Sequence, residues 1–150
     1  MLTFIPFQAR HLGYINVQGA QAEFRRWAAQ PDYVAALEHN GVALTALGAE
    51  GGNPVRVAGC AGLLHQWRGR AKAWALIGEV QPREWRQIAR RMGEIIAAAQ
   101  AGGVWRIEGE ARAGFAQGCR LFDLLGFARE GVMRKWSPDG ADMILYAKVR

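Results

Sequence analysis

Near the end of the chain the sequence runs Leu121-Phe122-Asp123-Leu124-Leu125-Gly126-Phe127-Ala128-Arg129-Glu130-Gly131-Val132, and its character changes at Gly126. The residues before it, Gly114 to Leu125, read as a short helix. Gly126 stops that helix, because glycine takes the left-handed backbone of a helix end without steric cost. Phe127 to Trp136 and Asp142 to Val149 then read as the two strands of a terminal hairpin. Between them Ser137-Pro138-Asp139-Gly140 supplies turn residues. A helix feeding directly into a strand, with a hairpin behind it, points to a layered α/β domain.

The rest of the chain extends this pattern. Val104 to Ala111 reads as a strand, with Trp105 and Ile107 opposite Arg106, Glu108 and Glu110. Pro82 to Ala101 is the clearest helix: Trp85, Ile88, Met92, Ile95, Ile96 and Ala99 fall on one face at 3.6 spacing, and Gly102-Gly103 ends it. Three strands precede it, Val42 to Leu47, Val55 to Leu64 and Ala71 to Ile77. The first two are joined by a hairpin turn at Glu50-Gly51-Gly52-Asn53-Pro54. Gly59 and Gly62 suit a bulge or a closely approaching neighbour. Two helical stretches, Gln18 to Ala29 and Pro31 to Asn40, follow a first strand from Leu2 to Phe7. The expected order is β-α-α-β-β-β-α-β-α-β-β. It describes an α/β (α+β) fold with a mixed, largely antiparallel sheet, helices on both faces, and one domain over residues 1–150.

Composition bounds the function. A chain of 150 residues, 51% apolar and 21% charged, suits one globular domain with its own core. No apolar run approaches the roughly 18 residues of a membrane span, and Met1 to Gln8 lacks the features of a signal peptide. Cys60 and Cys119 have no CxxC spacing, which rules out a structural zinc site and argues against a disulfide scaffold. Reduced thiols in a cytoplasm-like compartment are expected. His11, His39 and His65 share no metal-ligand spacing, so no metal is expected. The net charge of +6 comes mainly from arginine, since only Lys72, Lys135 and Lys148 are lysines, and no basic tail is present. Such a charge suits a polyphosphate ligand or nucleic acid, and equally an arginine-rich soluble protein.

The element order and the Leu125-Gly126-Phe127 … Glu130-Gly131 junction resemble the GNAT superfamily of acyl-CoA-dependent N-acyltransferases. Arg134 and the Ser137-to-Asp142 turn before the last strand fit the same pattern. The segment Trp67-Arg68-Gly69-Arg70-Ala71-Lys72-Ala73-Trp74-Ala75-Leu76-Ile77 is similar to the central strands of small GNAT-like proteins of bacteriophages and prophages. The resemblance spans roughly residues 55–150. It implies that acyl-CoA enters a gap between the fourth and fifth strands, its pantetheine arm pairing with the free edge of the fourth. Its pyrophosphate would sit on the amides at the next helix N-terminus, where unpaired N–H groups and the helix dipole suit an anion. Carried onto this chain, Leu76, Ile77, Gly78 and Arg83 would hold acetyl-CoA. Glu79 would be the general base toward an amine, with Glu108 and Glu110 as alternatives.

The sequence departs from that pattern at two places. The loop Gly78-Glu79-Val80-Gln81-Pro82-Arg83-Glu84-Trp85 has one glycine, a proline without an amide donor, and two glutamates whose charge repels phosphate. Phe122 stands where many family members carry a tyrosine that protonates the departing thiolate, and it has no hydroxyl. Cys119, three residues earlier, reads as a small apolar packing residue. Two functions follow. One is an acetyltransferase acting on an amine in the host cytoplasm. The other is a non-catalytic virion component of a phage or prophage, with protein partners in the assembly.

Other features read more plainly. Arg83, Arg86 and Arg90 share one helix face, and the plainer reading is a solvated one. Arg68, Arg70 and Lys72 lie beside Trp67 and Trp74, but no RNA-binding signature accompanies them, so a nucleic-acid partner is set aside. Trp27 and Trp85 are expected in the core, and Trp67, Trp105 and Trp136 near surfaces that favour oligomers or assembly.

Overall fold

Alternating apolar residues lay down seven strands in one sheet, and a computed structural model of the chain describes residues 1–51 and 53–150. The elements are β1 (Leu2–Pro6), α1 (Ala22–Ala28), α2 (Pro31–His39), β2 (Gly41–Glu50), β3 (Asn53–Trp67), β4 (Arg70–Ile77), α3 (Pro82–Ala101), β5 (Arg106–Arg112), α4 (Ala116–Leu124), β6 (Ala128–Met133) and β7 (Met143–Val149). Two short 3-10 turns, Ala9–Tyr14 and Gly19–Gln21, lead into α1. The strands lie in the order β1-β2-β3-β4-β5-β7-β6. Every neighbouring pair is antiparallel except β4 and β5, which α3 connects as a crossover. The expected α/β (α+β) order and mixed sheet are therefore present.

Helices cover both faces. On one, Met92, Ile95 and Ile96 of α3 pack with Ala71, Ala73, Ile107 and Ile144 of the sheet, joined by Leu125 beside α4. On the other, Leu12, Ala28 and Leu37 from the 3-10 turn, α1 and α2 pack with Cys60, Leu64, Trp74 and Leu76. Period-2 alternation along β4 explains the division: Ala71, Ala73 and Ile77 face α3 and α4, whereas Trp74 and Leu76 face α1 and α2. The helix expected from Pro82 to Ala101 has those bounds. Its start is fixed by Pro82 and by a capping box between Gln81 and Glu84.

Gly59 and Gly62 are places of close approach. A methyl on Gly59 would lie 2.9 Å from Leu76 O, and one on Gly62 would overlap Val42 O. The β2–β3 register slips opposite this stretch, between Ala46 and Leu47. Gly126 ends α4 at φ 78°, as its position before Phe127 requires. The turn expected at Glu50–Pro54 includes Gly52, which lies outside the described residues.

Two expectations need correction. Trp27 is 42% exposed rather than core, because α1 is only seven residues long and its Trp27 ring packs edge-on against Tyr33 at the surface. The strand expected from Val104 begins only at Arg106, so Val104 and Trp105 precede β5, and the Trp105 ring lies over Gly69. The 3-10 helix at Ala9–Tyr14 has no counterpart in the expected order, since six residues are too few to show periodicity. Among the described residues no helix is long and apolar enough to cross a membrane.

Candidate active site

β4 and β5 pair only at Arg70, Ala71 and Lys72, opposite Arg106, Ile107 and Glu108, and then separate. The closed end is fastened firmly. Gly69 O accepts from the amides of Trp105 and Arg106 at 2.9 and 3.0 Å. An ionic ladder crosses the strands on the α1–α2 side: Arg70 pairs with Glu108, and Lys72 Nζ lies 2.8 Å from Glu110 Oε2. At the open end α4 packs on β5. The Phe122 ring lies on Gly109 of β5, where a methyl would overlap it, and stacks on Tyr146 of β7 at 4.8 Å and 10°. The result is a cleft of about 110 Å³, room for several water molecules. Ala73, Ala75 and Ile77 line its β4 side, and Glu110, Ala111 and Arg112 its β5 side. Trp85, Leu121, Phe122 and Leu125 close it toward α3 and α4, and Gln21 and Phe24 toward α1.

The separation leaves backbone groups of β4 without a strand partner. Gly78 N donates to Ala58 O on the β3 side. By alternation, Ala75 O and Ile77 N point the other way, toward the cleft. Gln21 meets both: its Nε2 donates to Ala75 O at 3.0 Å, and its Oε1 accepts from Ile77 N at 3.1 Å. Gln18 Nε2 donates to Ile77 O and Gly78 O at 3.3 and 3.2 Å. Val17 bridges Gly78, and Arg25 holds the approach segment through Ile15 O and Gly13 O, both at 3.2 Å.

The N-terminus of α3 is likewise satisfied from within. Glu84, 5% exposed, accepts the Gln81 amide at 2.9 Å and two bonds from Arg56 Nη2, at 2.6 and 2.7 Å. Burial pushes the Glu84 carboxyl up, but the Gln81 amide and the Arg56 guanidinium outweigh it and hold it below the usual glutamate value.

This architecture has solved counterparts. A protein proposed to be a GNAT-family acetyltransferase, from Desulfovibrio desulfuricans, superposes with a TM-score of 0.70 at 17% identity, covering 99% of both chains. The ribosomal-protein-S18-alanine N-acetyltransferase of Escherichia coli gives 0.65 at 22%, over 99% of this chain and 94% of that one. A GNAT acetyltransferase from Elizabethkingia anophelis, solved with acetyl-CoA bound, gives 0.68 at 12%, over 99% and 98%. The chain has the GNAT fold. Neither a protein-family model nor a curated protein matches the sequence, so the likeness is one of fold.

Within this GNAT fold the residues singled out in the sequence are divided. Ile77 lines the cleft. Leu76 is fully buried on the α1–α2 side and packs in that core. Gly78 is held on both sides, by Ala58 and by Gln18. Arg83 is exposed in the first turn of α3 and lines neither hollow. Glu79 is exposed in a second hollow, beside Tyr14, Asn16, Arg56 and Gln81. Of the alternative carboxylates, Glu110 lines the cleft. Glu108 is half-buried between Arg70 and Arg106; burial raises it, but the two guanidiniums prevail and hold it low. The Glu110 charge also reaches Tyr33, whose phenol is pushed up to about 12, first by burial and then by that carboxylate.

Gln18, Gln21 and Arg56 carried no signal in the sequence, because each acts on a partner at least 28 residues away. Neither thiol lines the cleft. Cys60 is buried, and burial pushes it up to about 11 against the opposing Thr45 hydroxyl. Among the described residues no group of three or more His, Cys, Asp or Glu side chains could hold a metal ion.

Proposed function

We propose that this chain is an acyl-CoA-dependent N-acyltransferase, with acetyl-CoA as the acyl carrier and an amine as acceptor. The observation that carries this reading is the parting of β4 and β5 after Lys72 and Glu108, which opens a cleft beside an unpaired strand edge. An extended arm bearing amides pairs with such an edge as a strand would, so Ala75 O and Ile77 N suit a pantetheine arm. The carrier supplies a thioester carbonyl and a thiolate leaving group. Glu110, in the cleft, takes the proton that the attacking amine loses. Lys72 beside it keeps that carboxylate oriented. Glu79, the base implied by the resemblance, would have to act from the second hollow through water. Phe122 has no proton to give, so the thiolate takes its proton from solvent. This reading puts the protein in the host cytoplasm.

The test is release of free thiol from acetyl-CoA across a panel of primary amines, with Glu110→Gln and Glu79→Gln beside the parent protein. Amine-dependent release that Glu110→Gln abolishes supports the reading. Loss with Glu79→Gln alone moves the base to the second hollow.

A second reading, a non-catalytic component of a phage particle, is favoured by one observation. Both places where a carrier would be held are bound by the chain itself, the β4 edge by Gln21 and the α3 N-terminus by Glu84. Absence of thiol release with any amine, together with assembly into large particles, supports it.

A further inference from the structure

The carboxamide of Gln21 is bound to β4 as a piece of peptide would be. One nitrogen donates to Ala75 O and one oxygen accepts from Ile77 N, at 3.0 and 3.1 Å. Those are the two bonds that a neighbouring strand contributes at one residue position in a ladder. Among the described residues no strand of the sheet pairs with this edge of β4, because its ladder with β5 ends at Lys72 and β3 pairs with its other edge. An unpaired edge left in an apolar cleft is costly, and each unmet donor or acceptor there carries its own desolvation penalty. Gln21 removes that cost with a side chain that is half-buried and stands at the junction of the 3-10 turn and α1.

We infer that Gln21 is the residue that sets which ligands the cleft accepts, by competing for the β4 edge with the amide of an incoming extended arm. The inference rests on the acyltransferase reading above, in which that arm is pantetheine. A ligand whose arm carries an amide can replace both bonds that Gln21 gives up, so the exchange conserves hydrogen bonds. A ligand that is merely apolar leaves Ala75 O and Ile77 N unmet when it displaces Gln21, and is rejected. Gln21 thus acts as a filter as well as a cover. Gln18 is a weaker companion, since its bonds to Ile77 O and Gly78 O are longer and lie at the strand's end.

The chemistry can be isolated from the phosphate loop. Pantetheine has the amide arm without the pyrophosphate, and CoA has both. Calorimetric titration of each into the parent protein and Gln21→Ala measures the competition, and thermal unfolding shows that the variant is folded. Gln21→Ala is expected to bind both ligands about tenfold more tightly, the factor that corresponds to losing one or two net hydrogen bonds of competition. Binding by the variant alone supports the inference equally. A second readout uses the parent protein: on ligand addition, the Gln21 side-chain amide signals in a nitrogen–proton correlation spectrum move toward those of a free carboxamide. Equal affinities in the two proteins, weaker binding by Gln21→Ala, or Gln21 signals that stay in place while ligand binds overturn the inference and leave the acyltransferase reading standing. Binding of neither ligand to either protein overturns both.

Discussion

Lys72, the last residue of β4 paired with β5, holds its Nζ 2.8 Å from Glu110 Oε2, and both side chains line the cleft. Each is about a quarter or less exposed, so the pair is screened less than a surface ion pair. Replacing Glu110 with Gln keeps the shape and removes the proton acceptor. Amine-dependent kcat should fall by about 10²–10⁴, the usual contribution of a general base, with KM for acetyl-CoA nearly unchanged. Steady-state kinetics with a saturating amine decides this. An unchanged kcat would remove Glu110 from the chemistry.

The Glu84–Arg56 pair makes a prediction about stability and pH. Glu84→Gln discards the anion at the α3 N-terminus and weakens the bidentate contact with Arg56, and should cost about 1–2 kcal/mol at pH 7. The folded carboxyl lies below its ordinary value of 4.5. Its contribution is therefore complete above that value and disappears as pH falls through the folded one. The gap in Tm between the two proteins should be wide at pH 7 and close toward pH 3. A gap that stays constant with pH would mean that the charge of Glu84 contributes nothing.

Phe122→Tyr tests whether the missing proton donor limits the reaction. The ring lies over Gly109, lines the cleft and stacks on Tyr146, so a hydroxyl adds little bulk. Stability should stay within about 1 kcal/mol, while kcat should rise several-fold as the leaving thiolate gains an acid. An unchanged kcat in a folded variant would show that solvent protonation is not limiting.

Cys60 and Cys119 should react very differently. Cys60 is buried at the β2–β3 pair, and its thiol is pushed up to about 11, whereas Cys119 is half-buried on α4. Since the thiolate is the reactive form, iodoacetamide at pH 8 should label Cys119 and spare Cys60 until denaturant is added. Mass spectrometry of the labelled peptides reads this directly. Equal labelling under native conditions would mean that the α1–α2 face opens readily.

What was legible in the sequence follows from the range of the forces involved. The helix from Pro82 to Ala101 is set by local rules: a proline start, a capping box, six apolar residues at helical spacing and a glycine end. The structure has it at those bounds. Gly126 stops α4 for an equally local reason. Trp27 lies on an apolar helix face yet is exposed, because the short α1 leaves it at the rim. The cleft was less legible. Ile77 could be placed from the strand it ends, but the side of β4 on which Glu79 emerges depends on how the loop folds against Arg56 and Asn16. Glu110 shares its strand face with Glu108, and only the geometry separates them, since Glu108 is held between two arginines and Glu110 lines the cleft. The bonds of Gln21 to β4 and of Arg56 to Glu84 join residues that no local pattern pairs.

The central claim is that the gap between β4 and β5 receives an acyl-CoA, and calorimetric titration of the parent protein with acetyl-CoA tests it most directly. Saturable one-to-one binding is expected, with free CoA binding at comparable strength and both competing for one site. No heat beyond dilution at millimolar acetyl-CoA, from the parent protein and from Gln21→Ala alike, with both folded throughout, would contradict it.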